Sequence, residues 1–248
     1  MDLLDPDEAF DDDYLWFYDL ELTPERNRAE ADEIIVTLGL SPDDRVLDAP
    51  CGHGRIAIPL ASDGMAVIGV DRSEAFLDRA AVDADLAGVS LDLRPGDLRE
   101  LPIDEASVDA ALCWFTSFGY FDDDGNRRAL DEFARVLRPG GQLLIETMHP
   151  YGLATWLGAE PTVFVTERGD DEMVGRMRFE PTTGVLRIDR TIRRGDRRRS
   201  IGIGIRLPTP TELAVWLAAS GFSAWEFASR DHQPLTPASR RMVVVATR

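Results

Sequence analysis

The stretch from Arg45 to Arg72, RVLDAPCGHGRIAIPLASDGMAVIGVDR, constrains this chain more than any other part of it. Val46 and Leu47 form an apolar run too short for a helix, and it stops at Asp48, after which Ala49, Pro50 and Cys51 lead into Gly52 and Gly54. Without a Cβ at those two glycines the loop backbone can lie directly against a ligand. A helix from about Arg55 to Ser62 and a strand from Ala66 to Val70 follow, with Asp71 at the carboxyl end of that strand. This order predicts the opening βαβ of a nucleotide-binding α/β fold. It places the Asp71 carboxylate about twenty residues beyond the loop, where ribose hydroxyls are met.

The loop also discriminates between ligands. A dinucleotide site uses G-x-G-x-x-G to approach a pyrophosphate at a helix N-terminus, whereas this chain has only Gly52-His53-Gly54 and no third glycine at that spacing. Asp48, just before the loop, would repel a pyrophosphate and welcome an ammonium group. S-adenosylmethionine, with an amino acid tail and a sulfonium in place of phosphates, matches that difference.

Five segments in order then carry a family likeness. Asp48-Ala49-Pro50-Cys51-Gly52-His53-Gly54 resembles the first motif of class I S-adenosylmethionine-dependent methyltransferases, with Pro50 where the pattern has glycine. Asp71 matches their ribose-binding acid and Gly96-Asp97-Leu98 their adenine loop. Val108 to Cys113 matches the fourth strand, and Leu137 to Leu143 the turn into the fifth. The resemblance implies a Rossmann-like, doubly wound α/β fold with a seven-stranded, mostly parallel sheet. It implies S-adenosylmethionine as cofactor, held by Asp48, Ala49, Pro50, Gly52, Gly54, Asp71, Arg72, Asp97, Leu98, Cys113, Trp114 and Phe118. The implied activity is methyl transfer to nitrogen or oxygen of a small molecule or natural product. The rivals are an RNA or protein methyltransferase and a noncatalytic S-adenosylmethionine-binding module; no N-P-P-Y-type sequence follows the fourth strand, which counts against the first.

Along the chain, residues 1–44 read as an N-terminal helical lid segment, with an aromatic cluster from Tyr14 to Tyr18 and a helix from near Pro24 to Leu38 capped by Thr23. The core is expected over 45–159 and 208–248. Between them, residues 160–207 change to successive β runs separated by Pro181-Thr182-Thr183-Gly184 and Arg194-Gly195-Asp196, an inserted antiparallel lid over the acceptor. Catalytic candidates are His149 at the end of the fifth strand as general base, Tyr14 from the lid, and Tyr120 in the aromatic wall. His232 is a weaker base candidate.

Composition sets outer limits. A net charge of −18 argues against a surface built for nucleic acid, and the absence of lysine excludes a pyridoxal phosphate Schiff base and a P-loop lysine. Two cysteines are too few for a disulfide framework or zinc cluster. Asp122-Asp123-Asp124 reads as a solvated turn capping the next helix, with no metal expected, and the arginines from Arg193 to Arg199 as a solvated hairpin tip. No apolar run reaches membrane-spanning length. The expectation is a cytoplasmic protein with a small-molecule acceptor, no nucleic acid or membrane partner, and a homodimer as the candidate assembly.

Overall fold

The computed structural model describes residues 9–158 and 160–248. At its centre β1 (Arg45–Asp48) buries Val46, Leu47 and Asp48, as a strand covered on both faces must. β1 pairs in parallel with β2 (Ala66–Asp71) on one side and β4 (Val108–Cys113) on the other. β3 (Asp92–Pro95) extends the sheet beyond β2, and β5 (Leu137–Met148) lies beyond β4. β11 (Arg241–Thr247) then runs antiparallel to both β5 and β10 (Ala224–Ala228). The resulting seven-stranded order, β10-β11-β5-β4-β1-β2-β3, reverses direction between β1 and β4. A reversal of this kind opens a crevice at the carboxyl ends of the strands, where Asp48 and Asp71 stand.

Helices cover both faces. On one side α2 (Pro24–Leu38) and α3 (Ala57–Ser62) pack Ala31, Ile34 and Leu60 on the sheet. On the other, α5 (Asp123–Val136) and α7 (Pro210–Ala219) pack Leu130, Phe133, Leu213 and Leu217. The caps follow from sequence chemistry. Thr23 accepts from the Arg26 amide at 3.3 Å, Ser73 from Phe76 at 3.3 Å at the start of α4 (Glu74–Ala87), and Thr209 with Glu212 forms a capping box. Asp122 caps α5 through the Gly125 amide at 2.8 Å, the turn role expected of the acidic triplet.

The β runs after residue 160 form a separate four-stranded antiparallel sheet: β6 (Thr162–Arg168), β7 (Asp171–Glu180), β8 (Val185–Arg194) and β9 (Arg197–Arg206). Its inner face, with Met173, Leu186, Ile188, Ile192 and Ile203, packs on α6 (Pro150–Leu157) and on α1 (Asp12–Tyr18), whose Phe17 is fully buried. Asp11 caps α1 through the amides of Asp13 and Tyr14 at 3.0 and 3.2 Å. A helix of seven residues is marginal by itself, so α1 depends on this packing.

Two expectations change. β5 begins at Leu137, where a turn into the fifth strand was expected, because the Arg138–Gly141 turn is absorbed as a register shift against β4. The arginine run is only partly solvated. Arg194 and Arg199 reach Asp13 at 3.1 and 2.8 Å, and Arg194 and Arg168 lie 4.6 and 4.0 Å from the Trp16 ring. Arg197 also reaches Asp13, at 3.6 Å, while remaining 72% exposed. The Asp13 carboxylate is buried and needs these partners, so arginines that flank the hairpin turn clamp α1 instead of facing water.

Candidate active site

The carboxyl ends of β1, β2 and β4, with α1 across them, enclose a cavity of about 350 Å³. Asp48, Pro50, Cys51, Gly52, His53 and Arg55 form one side, and Val70, Asp71, Arg72, Ser73, Gly96 and Leu98 the next. Trp114, Phe115, Ser117, Tyr120 and Phe121 follow β4, and Phe10, Tyr14 and Phe76 close the mouth. The lining therefore combines carboxylates and loop backbone with aromatic rings, which meet where Arg55 lies 4.6 Å from the Phe115 ring and His53 6.1 Å from the Phe76 ring.

Asp71 organises the glycine loop. Its Oδ2 accepts from the Gly52 amide at 2.8 Å and its Oδ1 from Ser73 at 2.9 Å. Gly52 turns through a φ of 55°, a left-handed conformation that a Cβ would penalise, and this brings its N–H round to the carboxylate. Burial pushes the Asp48 carboxyl up to about 7, against the pull of Arg55 and with the help of the Asp71 charge. Burial and the Arg55 charge lower His53, so its imidazole is neutral at pH 7. Burial likewise raises the Tyr14 and Tyr120 phenols and the Cys51 thiol, leaving all three protonated.

Beneath the cavity, the Glu30 carboxylate of α2 takes Arg55 at 2.6 Å, Arg230 at 2.7 Å, Arg26 at 2.9 Å and the Trp114 indole N–H at 2.9 Å. Burial alone would raise this carboxyl, but the arginines and Trp114 reverse the effect and hold it at about 2. Arg55 also lies 4.6 Å from the centre of the Phe115 ring. Phe115 and Thr116 are both left-handed, with φ of 62° and 61°, a strain of about 1–3 kcal/mol per residue that clusters at functional sites. Gly119 (φ 108°) continues this loop: a Cβ there would come within 2.2 Å of the Arg206 carbonyl, and its own carbonyl accepts the Arg206 amide at 2.7 Å. The end of β9 is thereby tied to the loop that carries Tyr120.

Of the residues expected to bind cofactor, Asp48, Pro50, Gly52, Asp71, Arg72, Leu98 and Trp114 line the cavity. Ala49, Gly54, Asp97, Cys113 and Phe118 do not. Cys113 and Phe118 are buried in the core on the α5 side of the sheet, and the Asp97 carboxylate turns back onto Arg99 at 2.7 Å. Tyr14 and Tyr120 line the cavity. His149 does not reach the cavity: it is buried at the start of α6, with Nδ1 2.9 Å from the Ser239 carbonyl. His232 lies in the loop before β11, half exposed, with Nε2 3.9 Å from Glu33. No residue of 160–207 among those described lines the cavity, so the inserted sheet bears on it only through α1 and the Gly119 loop. Phe10, Arg55 and Phe76 were not legible as site residues. The signals available were Phe76 three positions after the Ser73 cap and Phe10 just before the Asp11 cap.

Comparison with known proteins bears on the same region. Residues 46–141 match the family described as Methyltransferase domain. The protein Rv1403c of Mycobacterium tuberculosis is 34% identical over 119 residues, 48% of this chain and 42% of that protein, so the match spans less than half of either chain. A solved S-adenosylmethionine-dependent methyltransferase from Clostridium acetobutylicum has a TM-score of 0.78 at 18% identity, covering 94% of this chain and 97% of its own. A sugar N-methyltransferase from Streptoalloteichus has a TM-score of 0.72 at 20% identity, covering 95% and 92%. At these identities the two structures show a shared fold.

Proposed function

We propose, from the premise that this chain belongs to the class I S-adenosylmethionine-dependent methyltransferases, that it methylates a small molecule at nitrogen or oxygen inside the cavity under α1. The observation that carries this is one cavity, at the carboxyl ends of β1, β2 and β4, that combines the Asp48 and Asp71 carboxylates with a wall of aromatic rings. When bound, S-adenosylmethionine supplies a methyl carbon activated by its sulfonium, and the electron pair of the broken C–S bond stays on sulfur.

The residues present suit that cofactor. Asp71 offers carboxylate oxygens for vicinal hydroxyls, Val70, Gly96 and Leu98 form an apolar slot for adenine, and Asp48 with the Gly52 backbone receives the amino acid tail. The aromatic faces of Tyr14, Trp114 and Phe115 suit a sulfonium by cation–π attraction. Closure by Phe10 and Tyr14 excludes water and holds the acceptor in line, which is the main work a displacement of this kind needs.

What each nucleophile needs follows from where the proton acceptors stand. Asp48 and Asp71 stand at the glycine loop, the neutral His53 imidazole lies 6.1 Å from the Phe76 ring and could serve a hydroxyl acceptor as base, and the Tyr14 and Tyr120 phenols are protonated. An amine nitrogen with its lone pair already free needs no base.

Calorimetry with S-adenosylmethionine tests the cofactor half. The parent should bind, and Asp71→Ala should bind at least about tenfold more weakly, the cost of a charge-assisted hydrogen bond. Parallel incubation with matched amine and alcohol acceptors, read by mass spectrometry of methylated product, tests the acceptor half. Unchanged affinity in a folded Asp71→Ala protein would overturn the cofactor assignment.

A further inference from the structure

We propose that the free edge of the inserted sheet is an interface with a second copy of this chain, in which β6 pairs antiparallel with the partner's β6 about a two-fold axis at Val165. The inference goes beyond the chemistry assigned above and does not depend on it.

The four-stranded sheet has β6 at one edge and β9 at the other. The β9 edge is guarded: it begins with Arg197, Arg198 and Arg199, and its Arg206 amide is tied at 2.7 Å to the Gly119 carbonyl. At the edges of the seven-stranded sheet stand short strands, β3 of four residues and β10 of five. β6 differs from all of these. Thr162-Val163-Phe164-Val165-Thr166-Glu167-Arg168 has no proline or lysine and no bulge in its register with β7, and no described strand pairs with its other side. Its Val163 and Val165 are 54% and 53% exposed. Such an edge is a template for another strand.

The register fixes which groups face outward. The two-residue turn at Gly169-Asp170 makes Arg168 and Asp171 a hydrogen-bonded pair, and such pairs alternate along an antiparallel ladder. Thr162, Phe164 and Thr166 therefore direct their backbone groups to β7, while Val163, Val165 and Glu167 turn N–H and C=O to the free edge. The side chains of these last three are also the exposed ones, on the face opposite Phe164 and α1.

A two-fold axis at Val165 sets Val165 against the partner's Val165 and Val163 against the partner's Glu167, and each such pair can exchange both backbone bonds. The neighbouring strand shows why the occupant is a second copy. β7 puts Arg176 beside Val163, Val174 beside Val165 and Glu172 beside Glu167. Across the axis, the outer row from Arg176 and Val163 continues into the partner's Glu167 and the partner's Glu172. The central row is apolar, from Val174 and Val165 to the partner's Val165 and the partner's Val174. Arg176 and the partner's Glu167 stand two strand spacings apart, about 10 Å between Cα atoms, which an arginine and a glutamate side chain together span. Within one copy, Arg176, Glu167 and Glu172 make no ion pair with a described residue. The charge pattern is its own complement under the two-fold axis, as an isologous interface requires.

Sedimentation of the full chain tests this, and the parent should be a dimer. Val165→Arg sets two guanidinium groups face to face at the axis and should raise the dimer dissociation constant at least about tenfold. Its melting temperature as a monomer should stay level, because the side chain is exposed within one copy. Arg176→Glu and Glu167→Arg should each weaken the dimer, and the double variant should restore it, since the two residues do not face each other within one copy. Amide exchange at Val163, Val165 and Glu167 should be slow in the parent dimer and fast in Val165→Arg. A monomeric parent, a dimer that none of these single substitutions weakens, or a double variant weaker than both singles would refute the proposal. Protection of those amides in a monomer would also overturn it, because another segment of this chain would then cover the edge.

Discussion

Replacing Glu30 by glutamine removes one negative charge from beneath the active site, and its cost can be worked from the structure. The carboxylate is 4% exposed and is shared by Arg26, Arg55, Arg230 and the Trp114 indole. Holding its pKa at about 2 instead of the ordinary 4.5 corresponds to about 3 kcal/mol of stability at neutral pH. Deleting one partner of a buried ion pair costs about 3–5 kcal/mol, so two independent routes agree. The sign follows from the depressed folded-state pKa. The contribution is complete above the unfolded value and is lost as pH falls toward 2, about two thirds of it by pH 3. Urea unfolding of the parent and Glu30→Gln should therefore differ by about 3 kcal/mol at pH 7 and by about 1 kcal/mol at pH 3. A difference below about 1 kcal/mol at pH 7, or one that does not shrink at pH 3, would refute the reasoning.

The remaining predictions concern the site itself. Asp48 has a raised pKa of about 7, so below that pH it is protonated, and S-adenosylmethionine affinity should fall about tenfold per pH unit below 7; above about pH 8 the amine of the ligand loses its charge and affinity should fall again. Calorimetry from pH 5.5 to 9 checks this, and a flat profile would remove Asp48 from the ligand tail. His149→Ala should cost about 1 kcal/mol of stability through the lost bond to Ser239 and leave turnover within a few-fold, because the imidazole does not line the cavity; a rate loss near 10²-fold would restore it as the base. Amide exchange across residues 10–20 should slow when cofactor is added, and Arg199→Met, which removes an ion pair to Asp13, should raise exchange there in both states. Equal protection with and without cofactor would make α1 a fixed part of the scaffold.

The core was legible where local chemistry and burial agree. Val46 and Leu47, the Gly52 turn, Asp71 and the caps at Thr23 and Thr209 each act over a few residues, and their roles are written in short spacings. α6 and β10 were not anticipated: Pro150–Leu157 is short and begins after a histidine whose side chain makes no capping bond, and Ala224–Ala228 is an edge strand with little burial. Site residues were harder because the cavity is assembled by long-range packing. Cys113 and Phe118 sit beside Trp114 and Phe115 in sequence, yet they enter the core while their neighbours enter the cavity. Sequence adjacency cannot separate them, since the left-handed pair at Phe115 and Thr116 breaks the strand alternation just there.

The inserted sheet illustrates the same limit from the other direction. Its strands and turns follow from alternation and from Gly184 and Gly195, which makes a lid the natural inference. The structure gives the sheet an indirect role: α1 and the residue before its cap supply Tyr14 and Phe10 to the cavity, and the sheet supplies the surface on which α1 packs. Phe17 is buried against the inner face, Arg168 donates to the Trp16 carbonyl at 2.6 Å, and Arg194 and Arg199 neutralise Asp13. A seven-residue helix has little stability of its own, so α1 depends on the packing of Trp16, Phe17 and Tyr18 on the sheet and on ion pairs that are worth about 1 kcal/mol each and are sensitive to salt. This dependence explains why arginine-rich turns that look solvated in sequence bear on a cavity none of them touches.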